Sequence, residues 1–436
     1  MAVDTVHAPI GQTITRLSGG GPRRIAESAG LVVTHGEGPY LITSDGSRLL
    51  DFATAMGVAA IGHGHPHWAK AIGDQAKRLS ASVLHTPEHA QYLERLTQYT
   101  PAGLERIALY SGGAEAVEVS IRLAQSVTGK RHILSFTTGF HGKTAGTRFL
   151  GGRFATERDH LGFSYVHDVP YPLCLEHDAV NYEDCEDTGQ SSLDALEAAG
   201  DATANAIDGI DSVAAVIVEL LPGTAGNRPP VRGFARALRE LCSRRGWLLI
   251  ADESITGFGR LGENFASQYF GITPDILVLG KAMGGSFPLT GVAAGSAMWD
   301  NSMFSELSAT SSSYGANPLA CAAGMAVLDI TTHPDYLENI RQVGRQLAIG
   351  IRDLAETSPY IARPRGIGMM LGFDFVDPAT GELAEADLRS DLFHRCLDAG
   401  ILVVGDVSTV RLNPPLNLTA AEAGLAIASL NAALRQ

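Results

Sequence analysis

Two apolar runs in this 436-residue chain each hand over to an ionisable side chain. WLLIAD ends on Asp252, and DILVLG is followed by Lys281. Runs of that length, bounded by turn residues, read as buried strands of a parallel sheet. In open α/β sheets ligands gather beyond the C-terminal strand ends. The stretch GFGRLGENFASQYFGITP between the two is long enough for a crossover, so Asp252 and Lys281 can share one site. A lysine in a partly apolar pocket can lose its proton and attack a carbonyl. A buried aspartate needs a cation opposite it.

A protonated pyridine nitrogen is such a cation, and with the lysine it suggests pyridoxal phosphate. A phosphate seat is offered by LYSGGAEAVEVSIRLA, where Ser111, Gly112 and Gly113 stand before a helical pattern. Free amides at a helix start attract an anion, and glycines let it come close. Alone, this stretch reads more readily as a flexible cap before a helix, and it lacks the GxGxxG spacing of a dinucleotide loop. In TTGFHGKTAGT, Phe140 can stack on a ring with His141 beside it, although a lone Phe is more often core. SATSSSYGANPLACAAG places hydroxyls before another helix, with Ser313 the best candidate.

The surrounding elements are those of an α/β protein. YLITSDGSRLLDF reads as a hairpin turning at Asp45-Gly46. HWAKAIGDQAKRL and PEHAQYLERLTQYT are helical. RIALY, HILSF, VAAVIVEL, WLLIAD and DILVLG are strands separated by helices, so a mostly parallel sheet covered on both faces is expected. After about residue 325 the pattern changes to a long helix from PDYLEN and short strands in GIGMMLGFDFV, ILVVGD and VRLNPP, an α+β module with its own sheet. The expected organisation is an N-terminal arm and part of a small domain over 1–60, a large cofactor-binding domain over 61–325, and a small α+β domain over 326–436.

Composition narrows the function classes. The net charge of -14 argues against a nucleic-acid surface. No apolar run is long enough to span a membrane, and the first residues lack a secretory layout. The five cysteines are scattered without knuckle spacing and read as reduced thiols of a cytoplasmic protein. GHGHPHW has no nearby carboxylate or cysteine, so no metal is expected there, and His63 and His65 are read as packing residues.

The constellation DGSRLLDF, GHGHP, SGGAEAVEVSIRLA, GFHGKT, ADESITGFGRLG, DILVLGKAMGGSFPLTG, YGANPLACAA and VRLNPPL resembles the class III (ornithine/GABA-type, omega-amino) pyridoxal-phosphate aminotransferases over about residues 41–430. The resemblance implies an aspartate-aminotransferase-like fold type I and a homodimer with shared sites. It implies Lys281 as the Schiff-base lysine, Asp252 on the pyridine nitrogen, and Ser111, Gly112 and Gly113 at the phosphate. Phe140 would stack on the ring and Ser254 would touch it. Ser313 would reach the phosphate of the neighbouring subunit's cofactor, and Arg411 would grip a substrate carboxylate. An amine donor and an oxo-acid acceptor would react in turn by a ping-pong scheme.

Three departures bear on the substrate. Thr224 stands where ornithine and GABA enzymes carry a second glutamate, Pro222 where they carry glutamine, and Lys143 where GABA-type enzymes carry arginine. Glu219 keeps the first glutamate. A lysine is a point charge and does not fork like arginine. The expected donor is therefore an unusual biosynthetic amine, such as an amino sugar or a polyamine. An epimerase, racemase or aminomutase on the same scaffold is the alternative reading. A non-catalytic protein is disfavoured because Lys281 and Asp252 are both present.

Overall fold

Val213–Val218 reads VAAVIV, and all six residues are buried. Such a strand has no solvent face and must be covered on both sides. The computed structural model describes residues 4–19, 29–151, 165–185, 187–204, 212–404 and 407–435. The chain divides into two compact units: His67–His177 with Asn181–Leu337, and Met1–Pro66 with Asp178–Val180 and Glu338–Gln436.

The strands are, in chain order, β1 (Val33–Glu37), β2 (Tyr40–Thr43), β3 (Arg48–Asp51), β4 (Arg106–Tyr110), β5 (His132–Phe136), β6 (Val166–Val169) and β7 (Val213–Val218). They continue with β8 (Leu248–Asp252), β9 (Ile276–Leu279), β10 (Thr290–Ala294), β11 (Ile361–Ile367), β12 (Met370–Phe375), β13 (Ile401–Leu402) and β14 (Thr409–Leu412).

The larger unit is built on a seven-stranded sheet in the order β4-β10-β9-β8-β7-β5-β6. The neighbours from β9 through β6 run parallel. β10 is antiparallel to both β4 and β9, so the other six strands all point the same way. The sequence pattern did not mark β10: TGVAA is a short run of small residues in a glycine-rich stretch, with no alternation to read. The helix Gly113–Thr128 buries Ala116, Val117, Ile121, Leu123 and Ala124 in one cluster with Ile217, Ile250, Val278 and Val292 of the sheet. Those helix positions recur at three- and four-residue spacing, which is the stripe a sheet-packing helix needs.

The smaller unit holds two sheets, β1-β2-β3-β13 and β11-β12-β14. The hairpin β2/β3 pairs Tyr40 with Leu50 and turns through Asp45-Gly46. Asp45 fixes the turn, accepting from the Thr43 hydroxyl at 2.5 Å and the Ser47 amide at 3.0 Å. Two expectations are corrected. ILVVGD is shared between the two sheets: Ile401 and Leu402 (β13) pair in parallel with β3, Val404 bridges Arg411 of β14 in the antiparallel sense, and Gly405 and Asp406 lie outside the described residues. GIGMMLGFDFV is not one strand, because Gly368 turns at φ +58 and separates β11 from β12. The helix Ala420–Leu434 opens with a reciprocal cap between Thr419 and Glu422.

Candidate active site

Six strand ends of the larger unit open on one edge, and the polar residues concentrate there. Ser111 follows β4, Phe140 and His141 follow β5, and Glu219 follows β7. Asp252 closes β8, and Lys281 follows β9 after Gly280. A Cβ added at Gly280 would lie 3.3 Å from the Ser254 hydroxyl, so the ends of β8 and β9 meet.

Asp252 is buried, and both carboxylate oxygens are held. Oδ2 pairs with His141 Nδ1 at 2.8 Å. Oδ1 accepts from the Ser254 hydroxyl at 2.6 Å and from its amide at 3.1 Å. Burial alone would raise the Asp252 carboxyl, but the His141 hydrogen bond and charge, the Lys281 cation and the Ser254 hydroxyl together set it below the ordinary range. Burial alone would lower the His141 imidazolium, but its bond to Asp252 and the surrounding carboxylates raise it above the ordinary value. Each partner thus favours the charged form of the other. Ser254, expected as a ring contact, has its hydroxyl engaged by Asp252.

Lys281 sits at φ +44, in the left-handed region that a side-chain-bearing residue enters at a cost. It opens the turn Lys281–Gly284. The Trp68 indole N–H donates to the Gly284 carbonyl at 3.0 Å and pins that turn. Trp68 was not marked by the sequence, because nothing local to HWAKAIG points to a segment so far along the chain.

The helix after Ser111 and Gly112 starts one residue earlier than the sequence pattern indicates. Gly112 is the N-cap and the helix begins at Gly113. Its first intrahelical bond runs from the Ala116 amide to the Gly112 carbonyl, so the preceding amides of Gly113, Ala114 and Glu115 head the helix. The Ser111 amide and hydroxyl instead approach the Glu115 carboxylate, at 3.3 and 3.4 Å. A Cβ at Gly113 would meet nothing within 4 Å, so the helix start is open. The Thr290 hydroxyl donates to the Gly112 carbonyl at 3.2 Å and anchors the loop.

The segment after β5 is packed tightly against this helix. Gly142 has φ +142, and a Cβ there would fall 2.4 Å from the Thr147 hydroxyl oxygen and 2.7 Å from Ala114 Cβ. Buried Glu219 accepts from the Phe140 amide at 2.8 Å and the Gly223 amide at 3.3 Å. Burial raises its carboxyl above the ordinary value. The Thr224 hydroxyl donates to the Thr138 carbonyl at 2.8 Å, and Lys143 is exposed. Glu253, beside Asp252 in sequence, faces away into structure: it accepts from the amides of Ala266 and Ser267 and from the Thr256 hydroxyl.

The structure thus brings Asp252, His141, Ser254, Lys281 and the Phe140 segment together. Ser313 is exposed, in the segment before the helix Pro318–Thr331. Arg411 belongs to the smaller unit, on β14 opposite Gly372, with its guanidinium 3.7 Å from Met56 Sδ. The stretch does have carboxylates near it in the fold, distant in sequence: His63 pairs with Asp51 at 2.9 Å and His67 with Asp329 at 2.7 Å.

A sequence model of the family aminotransferase class-III matches residues 23–434. The chain is a class III aminotransferase. The chain is 34% identical over 399 residues to acetylornithine aminotransferase 1 of Bordetella parapertussis, covering 89% of this chain and 91% of that one. It is 33% identical over 405 residues to the 2-aminoadipate transaminase of Pseudomonas putida, with 89% and 92% covered. Among solved structures, an amine transaminase from an uncultivated Pseudomonas species, in its pyridoxal-phosphate-bound form, matches with a TM-score of 0.82 and 31% identity over 93% of this chain and 94% of that one.

The aminotransferase therefore uses pyridoxal phosphate and has the type I fold. Its residues suit that group. An open helix N-terminus would suit a phosphate, a buried Asp252 whose carboxyl is held below the ordinary range would suit a protonated ring nitrogen, and Lys281 lies at the same strand edge. No helix among the described residues is long and apolar enough to cross a membrane.

Proposed function

We propose that this aminotransferase moves an amino group from a primary amine or amino-acid-like donor to an oxo-acid acceptor in two half-reactions, with Lys281 handling the proton. The observation that carries this reading is the buried Asp252–His141 pair, 2.8 Å apart, at the same sheet edge as Lys281. Pyridoxal phosphate, when bound, supplies an aldehyde that takes up the amine and a ring that accommodates the electron pair left on the amine-bearing carbon. Lys281 removes the proton from that carbon and returns one at the other end of the transfer, acting as general base and then general acid. Its left-handed backbone and the Trp68 bond to its turn fix where the amino group can reach.

Asp252 stays ionised and keeps a ring nitrogen protonated, while His141 and Ser254 prevent its carboxylate from turning. The amides of Gly113 and Ala114, with Ser111 and Gly112 beside them, receive the phosphate. Phe140, positioned through its amide on Glu219, lies against the ring. In a homodimer, Ser313 reaches the phosphate bound by the neighbouring subunit, and Arg411 holds the acceptor's carboxylate.

The relatives named for acetylornithine and 2-aminoadipate, and the amine transaminase among the structures, support an aliphatic amine donor. Thr224 is engaged by a backbone carbonyl and Lys143 is exposed, so neither reproduces the carboxylate grip of ornithine or GABA enzymes. The proposed donor is an amine outside those two types, with amino sugars and polyamines the first to try. The test is a panel of amines incubated with 2-oxo acids, following consumption of the oxo acid and formation of its amino acid. A donor that inverts at its amine-bearing carbon while the oxo acid is untouched would overturn transfer in favour of epimerisation.

A further inference from the structure

The connection between β6 and the helix Gln190–Ala204 carries three potential metal ligands that the cofactor chemistry does not use. Cys174, His177 and Cys185 place their Sγ and ring nitrogen atoms within 4.8 Å of one another. The sequence does not announce them, because the spacing C-x2-H followed much later by Cys lacks the paired knuckle of zinc modules. From this juxtaposition we propose that Cys174, His177 and Cys185 form a binding site for a thiophilic divalent cation, zinc above all.

Distance supports the assignment. A tetrahedral zinc with Zn–S near 2.3 Å and Zn–N near 2.05 Å separates a sulfur from a nitrogen ligand by about 3.6 Å. Cys174 Sγ and His177 Nδ1 stand 3.6 Å apart. The same contact serves as a weak hydrogen bond, so this pair already stands at a ligand spacing, and the Cys185 sulfur lies within 4.8 Å of both. Two thiolates and an imidazole select zinc over magnesium or calcium, which take oxygen ligands. The three supply all but one ligand of a tetrahedral set, and the last position takes solvent or a small anion.

The ligands are held by a backbone framework. The Cys174 amide donates to the Pro229 carbonyl at 2.9 Å, and the Val231 amide donates to the Pro172 carbonyl at 2.8 Å. The Cys185 amide closes the turn Tyr182–Asp184 by donating to the Tyr182 carbonyl at 3.1 Å. The Tyr182 hydroxyl then donates to the Pro230 carbonyl at 2.8 Å. Both thiols are buried, whereas a cavity of about 350 Å³, lined by Glu183, Arg232, Arg236 and Tyr269 among others, reaches Cys185 and gives an ion its route. Binding cross-links Cys174 and His177 to Cys185 near the other end of the connection, and so stabilises the folded chain against the metal-free one.

The experiment uses full-length, cofactor-loaded protein without a histidine tag, purified under a reducing atmosphere and dialysed against chelator. Titration with Zn²⁺ is followed by elemental analysis, and titration with Co²⁺ by its visible ligand-field and thiolate charge-transfer bands. One ion per chain is expected, with the intensity of a tetrahedral thiolate site. Cys185→Ser and His177→Ala should each abolish stoichiometric binding; His177 is half-buried, so its variant keeps the test valid if the cysteine variant fails to fold. No ion retained by the wild type, binding unchanged in both variants, or a Cys174–Cys185 disulfide in the reduced preparation would each overturn the site.

Discussion

At the residue scale the account rests on four side chains. Lys281→Ala removes the proposed base, and turnover should fall by about 10³-fold or more, within the range of general acid–base catalysis, with the folded state retained on circular dichroism. Asp252→Asn keeps the shape and removes the charge; proton abstraction from the donor should slow by about 10²- to 10³-fold in single-turnover kinetics. Unchanged rates in either variant would remove that residue from the chemistry. Arg411→Ala should raise KM for the oxo acid by about 10- to 100-fold, the worth of a charge-assisted pair, and leave KM for an amine without a carboxylate within about twofold. Equal losses for both substrates would sink the assignment. The Asp252–His141 pair also predicts a pH effect. His141 binds its proton more tightly in the folded chain, so its contribution is complete below about pH 6.5 and is lost as pH rises through the folded value. Asp252 contributes above about pH 4 and loses that contribution as pH falls through its lowered folded value. In cofactor-free protein, the Tm gap between wild type and His141→Asn should therefore narrow from pH 6 to pH 9. A gap that widens would mean that the imidazole is buried neutral.

At the element scale the helix Gly113–Thr128 and the turn around Gly142 depend on each other. Gly142→Ala would place a methyl against Ala114 and Thr147 at a backbone angle that disfavours it, at a cost of about 1–3 kcal/mol, and should weaken cofactor binding in the same step. Glu253→Ala should lower unfolding stability by about 3 kcal/mol by orphaning the amides of Ala266 and Ser267 and the Thr256 hydroxyl, with kcat per folded molecule unchanged. A large loss of kcat without loss of stability would make Glu253 a site residue. Much of this scale was legible from sequence. Long apolar runs such as VAAVIV and WLLIAD can only be buried strands, and the residues that end them fall at the sheet edge by topology. What was not legible depends on distant partners. TGVAA becomes a strand only because β4 and β9 flank it, and the start of ILVVGD pairs with β3, which offers a parallel edge, before Val404 reaches β14. The helix begins at Gly113, and the Ser111 amide turns to the Glu115 carboxylate, a contact that no spacing reveals. Trp68, Thr290 and the Cys174–His177–Cys185 group are likewise products of the fold.

At the scale of the whole molecule, the larger unit exposes Val83, Leu84, Leu307 and Tyr314, with Leu307 98% and Val83 103% exposed. Apolar side chains left this bare are expected to be covered in an assembly, which supports the proposed homodimer. Leu307→Asp with Val83→Asp should shift the sedimenting species toward the monomer and lower activity in proportion, since Ser313 would no longer reach a neighbour's phosphate. Activity unchanged in a monomer would show each site to be complete in one chain. The most direct test of the central claim is the absorbance of the cofactor-loaded protein as amines are added one at a time without an oxo acid. The account predicts, for a true donor, loss of the pyridoxal band, gain of the pyridoxamine band and one oxo product released per site, with none of these in Lys281→Ala. Conversion that persists in Lys281→Ala, or donors that only exchange their carbon-bound proton with solvent while the pyridoxal band returns, would contradict it.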